Sequence, residues 1–258
     1  MKDILSHRIL RRMNFISDQS GILNRYINES ENWNPHLENT KKYIVDFIER
    51  NGFKTLTILG SGWLLDLPVE YLARHTQKVY LYDIYHPPQI LHKLKNFECF
   101  SFVNQDITGN LISQVYKAVK QYRKTGEKID IENFLFCGFS PIDETEAYIS
   151  LNILNQLDIL IVDFLKDEEI YSEKEIEFLR ANIQKSHINS LPANKSCLIT
   201  DYEELISTFD NTQESKKNLL YTNLPVGKNI HKWSWVFDTN GNYNINHKTT
   251  LNVIAFEI

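Results

Sequence analysis

Thr55-Leu-Thr-Ile-Leu-Gly-Ser-Gly-Trp-Leu-Leu-Asp-Leu-Pro68 is the stretch that decides the fold. Thr55 to Leu59 is a short β-branched and apolar run bounded by glycine, which reads as a strand. It opens into Gly60-Ser61-Gly62. Pro68 then introduces a helix over Val69 to His75, with the proline in its first turn. The whole chain holds only 9 glycines, so two of them beside an apolar run need a local reason. Glycine lets the backbone turn sharply and lets a ligand come close to the main chain. The start of the following helix adds partial positive charge at the same place. The plain alternative is a tight strand-to-helix turn and nothing more.

The same texture continues outward. Lys78 to Tyr82 is a second strand ending at Asp83, and a helix around Gln89 to Leu94 follows. Phe100 to Val103 is a third strand ending near Asp106. Strand alternating with helix predicts βαβ units and a parallel sheet. Asp83 lies 21 residues after Gly62. In nucleotide-binding βαβ folds an acid at that separation accepts from the ribose hydroxyls of an adenosine group. Asp106 is placed to accept from an adenine amino group, or else to cap its own turn in Asp-Ile-Thr-Gly.

Further along, Leu111 to Tyr122 is read as a helix, and Gly126 to Pro141 as a loop with a short strand at Phe134 to Cys137. Ala147 to Leu151 is a fourth strand, Glu173 to Ile188 an amphipathic helix, and Ser196 to Thr200 a fifth strand ending at Asp201. Residues 202–228 are polar with few signals. Lys232 to Asp238 and Thr250 to Ile258 form an antiparallel pair across Asn240-Gly241.

Upstream, residues 1–50 show helical periodicity and no strand. Ile4, Ile9, Leu10, Met13 and Ile16 mark one helix, Gly21 to Glu29 a second, and Pro35 through Ile48 a third, ended by Asn51-Gly52. The expected organisation is an N-terminal helical cap over 1–50 and a Rossmann-like domain over 51–258. Gln19, Tyr26, Trp33 and His36 would touch the substrate if that cap closes over the crevice. His7, Arg8, Arg11 and Arg12 form a basic face, either solvated or turned to an anionic partner.

Composition limits the function. Of 258 residues, 28 are Lys or Arg and 33 Asp or Glu, a net charge of −5. That argues against general nucleic-acid binding. The 3 cysteines, Cys99, Cys137 and Cys197, are widely spaced and contain no CxxC. They predict neither a disulfide framework nor a zinc ribbon. The N-terminus has no apolar run of signal-peptide type, and no stretch suits a membrane span, so the expected setting is cytoplasmic. No spaced His/Asp/Glu cluster predicts a metal. Asp163, Asp167, Glu168 and Glu169 read as a solvated acidic face.

TLTILGSGWLLDLP, VYLYDI and FVNQDITG together resemble the first three motifs of class I S-adenosylmethionine-dependent methyltransferases. The nearest resemblance is to poorly characterised bacterial members with a GxGxLxDLP-like turn. Asp83-Ile-Tyr-His86 and Ser150-Leu-Asn-Ile-Leu-Asn-Gln-Leu157 match their later motifs. The resemblance implies a three-layer α/β, Rossmann-like methyltransferase fold, with a mostly parallel seven-stranded sheet and an antiparallel last strand. It implies S-adenosylmethionine as cofactor, held by Gly60, Ser61, Gly62 and Trp63 around the methionine part, Asp83 and Ile84 at the ribose, and Asp106 and Ile107 at the adenine. Ser150 to Asn152 would lie where the family places cofactor, substrate or catalytic groups. Two departures stand out. Leu64 replaces the family's third glycine, and Ser150-Leu-Asn-Ile does not match the Asn/Asp-Pro-Pro-aromatic motif of adenine methyltransferases.

The candidate catalytic residues are His86, as a general base beside Asp83, and Asn152, as an amide that orients substrate. Both have a plain reading, in local hydrogen bonding. Trp233 and Trp235 alternate on one strand face, for core or subunit packing, which leaves a homodimer open. The expected function is methyl transfer to an unknown small molecule. A non-catalytic binding module on the same fold is the rival. An NAD-binding oxidoreductase is a weaker one, because GxGxxG would need glycine at Leu65. The Walker motif GxxxxGK[ST] is absent.

Overall fold

A computed structural model describes residues 5–142 and 144–258. Ile4 of the first expected helix lies outside them. The strands are β1 (Thr55–Leu59), β2 (Lys78–Asp83), β3 (Phe100–Asn104), β4 (Ala147–Leu151), β5 (Ser196–Ser207), β6 (Glu214–Asn218), β7 (Lys228–Asp238) and β8 (Lys248–Glu257). They form one sheet in the order β3-β2-β1-β4-β5-β8-β7, with β6 paired to the outer half of β5. The first five strands run parallel, and β8 runs antiparallel between β5 and β7. Seven of the eight strands make the mostly parallel sheet with its last strand reversed, the Rossmann-like methyltransferase arrangement that the resemblance implies, and the antiparallel β6 is an addition to it.

The helices are α1 (His7–Arg12), α2 (Phe15–Asn51), α3 (Val69–His75), α4 (Pro88–Leu94), α5 (Leu111–Thr125), α6 (Ile159–Lys166) and α7 (Glu173–Ser190). Strand alternation sorts them into two layers. Leu56 and Ile58 of β1 join the core formed with α2, α3 and α4. Leu59, Tyr82 and Tyr148 join the opposite core, with α5, α6 and α7. Both faces of the central strands are thereby covered, and β1 and β4 read as near-continuous apolar runs.

Several expectations change. The helix expected through Ile16 breaks after Arg12, because Asn14 takes a left-handed φ of 64°. The second and third stretches are joined in α2, which kinks at Glu29 rather than separating. The strand expected at Phe134 to Cys137 is absent, with only a short 3-10 turn at Ile131–Asn133 before it. β5 continues past Asp201 through a bulge and folds back on the wholly exposed β6. Residues Glu214 to Asn218 carry no apolar pattern because a polar edge strand buries neither face. No described helix is long and apolar enough to cross a membrane.

Candidate active site

Strand order reverses between β1 and β4, so the loops leaving these two strands diverge and open a crevice at their C-terminal ends. A cavity of about 270 Å³ occupies that crevice. One half lies over β1, β2 and β3 and is lined by Gly60, Ser61, Gly62, Trp63, Asp83 and Asp106. Ile84 and Ile107 belong to the same lining, and Asn152 stands at the seam beyond β4.

The glycine loop is built by its own hydrogen bonds. The amides of Gly60 and Ser61 both donate to the Tyr82 carbonyl, at 2.9 and 3.1 Å. Gly62 N–H donates to Asp83 Oδ2, and Ile84 N–H to Asp83 Oδ1, each at 2.8 Å. The Asp83 carboxylate thus orders the loop and, lining the cavity, keeps acceptor capacity beyond these backbone bonds. Gly60 has φ +85°, and a Cβ there would stand 2.8 Å from the Leu151 carbonyl oxygen. Gly62 has φ +45° and open space where a Cβ would be. Leu64, at the position of the family's third glycine, keeps a left-handed φ of 58°. The departure in sequence therefore leaves a glycine-like backbone path in place. Trp63 ties the loop to α2 by donating from Nε1 to the Gln19 carbonyl at 2.6 Å.

Three sequence candidates are held by hydrogen bonds within the chain, which for His86 and Asp106 is the plainer of their two readings. His86 does not line the cavity. It sits buried beneath the loop, with Nε2 2.9 Å from Ser61 Oγ and Nδ1 2.5 Å from Asn104 Oδ1. The Asn104 carbonyl only accepts, so Nδ1 carries the proton and Nε2 accepts from Ser61. Burial lowers the His86 pKa against the opposing pull of Asp83, while burial raises that of Asp83. Ser150 is fully buried and hydrogen-bonds His187 Nε2 at 2.8 Å, away from the cavity lining. Asp106 lines the cavity, yet its carboxylate accepts from Thr108 N and Oγ1 at 2.8 and 2.5 Å and from Ile112 N at 3.3 Å. It caps its own turn, and burial raises its pKa.

The other half of the cavity lies over β4, β5, β8 and β7. Asn152, with a left-handed φ of 47°, donates to Asp66 Oδ2 at 2.8 Å. Asn155 donates to Asp201 Oδ2 at 2.5 Å. Burial lifts both Asp66 and Asp201 to about 6. The wall is aromatic. His36 stacks on Trp235 at 3.9 Å, and Trp33 stacks on Phe237 at 5.4 Å. Trp233 Nε1 donates to His36 Nδ1 at 3.0 Å, and burial lowers the His36 pKa to about 3. Trp233 and Trp235 are thus engaged with α2 inside the chain. The roles of Asp66, Asn155, Asp201 and Phe237 escaped the sequence reading. Asp66 and Asp201 were visible only as residues near the ends of elements.

No protein-family model and no curated protein matches this chain. Among solved structures it is similar to the Burkholderia thailandensis 1,6-didemethyltoxoflavin-N1-methyltransferase, solved with S-adenosylhomocysteine. Identity there is 10%, coverage 98% of this chain and 89% of that one, and the TM-score 0.41. It is also similar to DhpI, in a complex with S-adenosylhomocysteine, at 8% identity, 98% and 99% coverage and a TM-score of 0.39. The N-methyltransferase NodS from Bradyrhizobium japonicum is a third, at 8% identity, 86% and 84% coverage and a TM-score of 0.37. In this chain itself, the strand order and the reversed β8 are those of a Rossmann-like methyltransferase fold.

Proposed function

We propose that this chain is an S-adenosylmethionine-dependent methyltransferase acting on a small molecule. The observation that carries the reading is the Gly60–Gly62 loop joined to Asp83 at the switch point of the sheet. Its residues suit the cofactor: Gly62 leaves the main chain open to close approach, and Asp83 retains acceptor capacity beside it. Gly60, Ser61, Gly62 and Trp63 would hold the methionine part, Asp83 and Ile84 the ribose, and Ile107 the adenine face. Asp106 serves the adenine pocket by fixing its turn. When bound, the cofactor supplies an electrophilic methyl group.

The chain's own work is positioning and exclusion of water. Asn152 faces the acceptor half and orients substrate. His86 acts through Ser61 as a positioning residue. Phe15, Gln19 and Ile22 of α2 line the cavity, which supports reading the N-terminal segment as a cap over the site. Titration calorimetry with S-adenosylmethionine, S-adenosylhomocysteine and NAD tests the reading. Micromolar binding of the first two is expected, weakened by about 1–3 kcal/mol in Asp83→Ala. Binding of neither, by folded protein, overturns it in favour of a non-catalytic module, and binding of NAD alone in favour of an oxidoreductase.

A further inference from the structure

The acceptor half of the cavity has an imbalance of polar groups. The Asp201 and Asp66 carboxylates each take an N–H from an asparagine, which decides which end of each amide is nitrogen. What is left without a partner is acceptor: Asn152 Oδ1, Asn155 Oδ1, Asp201 Oδ1 and Gln19 Oε1. All four residues line the cavity, and the first three are each more than nine-tenths buried. Two side-chain donors of that lining are likewise buried without an acceptor, among the described residues: Trp235 Nε1, and His36 Nε2, which carries the ring proton because Nδ1 accepts from Trp233 and which meets only the Asn152 amide nitrogen at 3.4 Å.

Charge leans the same way. Asp18, Asp66 and Asp201 line the cavity beyond the two acids assigned to the cofactor. Arg25 is the one cation among the described lining residues, and its guanidinium already lies over Phe237 and Tyr243, at 5.1 and 5.2 Å from the ring centroids. Buried acceptors and carboxylates lose their water and gain only from a ligand that brings N–H groups or positive charge. Trp33, Trp235 and Phe237 give this half of the cavity an aromatic wall against which a flat apolar ring can pack.

We propose that this half-cavity binds a small aromatic amine as the co-substrate, its N–H groups held by Asn155, Asp201 and Asn152 and its ring against Trp235 and Phe237. The proposal rests on the cofactor reading above. Its premises are different residues, so the two fail separately.

The test uses three probes of one shape, benzylamine, benzyl alcohol and benzoate, titrated by calorimetry into protein saturated with S-adenosylhomocysteine. Benzylamine is expected to bind at least tenfold more tightly than either of the others. Asp201→Asn, which keeps the shape, is expected to erase at least tenfold of that preference with S-adenosylhomocysteine affinity within twofold of the parent. Asn155→Leu provides a second variant, checked for folding by its melting curve. Equal binding of the three, preference for benzoate, or no binding of any overturns the amine assignment while leaving the cofactor reading intact. Failure of S-adenosylhomocysteine to bind, with benzylamine still preferred by the free protein, overturns the cofactor reading and leaves the amine site standing.

Discussion

Gly60 and Gly62 look alike in sequence, yet the structure separates their roles. At Gly60 a Cβ would collide with the Leu151 carbonyl and Ile153, so Gly60→Ala is expected to destabilise the fold by about 1–3 kcal/mol in urea titrations. At Gly62 nothing stands within 4 Å. Gly62→Ala is expected to bear only left-handed strain, about 1–2 kcal/mol, and to show its main effect as weaker binding of S-adenosylhomocysteine. Equal stability losses with unchanged binding would refute the distinction. His86 raises a second question at this scale, base or support. With Nδ1 on Asn104 and Nε2 on Ser61, it is placed to hold the loop. His86→Ala is expected to raise the cofactor KM about tenfold, a hydrogen bond's worth of about 1.4 kcal/mol, without changing the shape of the kcat–pH profile. Loss of an acidic limb in that profile would restore it as a base.

Among the elements, α2 does two tasks. Side chains between Phe15 and Leu37 line the cavity, and its C-terminal part packs Tyr43, Ile44, Phe47 and Ile48 into the core against the sheet. Glu29 is buried at the kink of α2, within the cavity-lining part. Its carboxylate accepts from Asn32 Nδ2 at 2.7 Å, Thr239 N at 2.8 Å and Asn240 Nδ2 at 2.6 Å. The turn after β7 therefore sets where the helix bends. Glu29→Ala removes a buried acceptor from four donors, the Thr239 hydroxyl being the fourth, and is expected to cost about 1.5–3 kcal/mol by chemical denaturation. Glu29→Gln, which retains one acceptor oxygen, should recover part of it. A stability within error of the parent would show that the kink is held by backbone packing alone.

Across the whole molecule, buried titratable groups oppose one another. His187, fully enclosed against Ser150, is lowered from 6.5 to about 4, and His36 to about 3. Each stays neutral when folded, so its contribution is complete above 6.5 and is lost as pH falls toward these lower values. Asp66, Asp158 and Asp201 are raised from 3.8 to about 6. Their folded protonated forms are favoured, so their contribution is complete below 3.8 and is lost as pH rises through about 6. The two sets flatten the pH dependence between those limits. His187→Gln removes one member of the first set. The stability lost by the protein between pH 7 and pH 5, read from urea midpoints at about those two values, is expected to be smaller in the variant than in the parent. A larger acid loss in the variant would reverse the sign assigned to His187.

The half of the site over β1 to β3 was legible because its information is local. A β-branched run, two glycines, a proline at a helix start and an acid at the end of the next strand each act through backbone conformation over a few residues. The reversal of the last strand was legible from two period-two runs across a short turn. The other half was decided only by tertiary structure. Asp66 meets Asn152, His36 meets Trp233 and Trp235, and Asn155 meets Asp201, from segments that no local pattern links. Trp235 reads as core or subunit packing until α2 is laid across it, and His86 reads equally as a base or a local hydrogen-bonding residue until Ser61 and Asn104 are seen on its two ring nitrogens. Sequence by itself determined the alternation of strand and helix and the glycine turn that follows from it, since these depend on neighbours along the chain. Which buried acceptors face one cavity depends on strand order and on where α2 bends, and both are set by long-range packing.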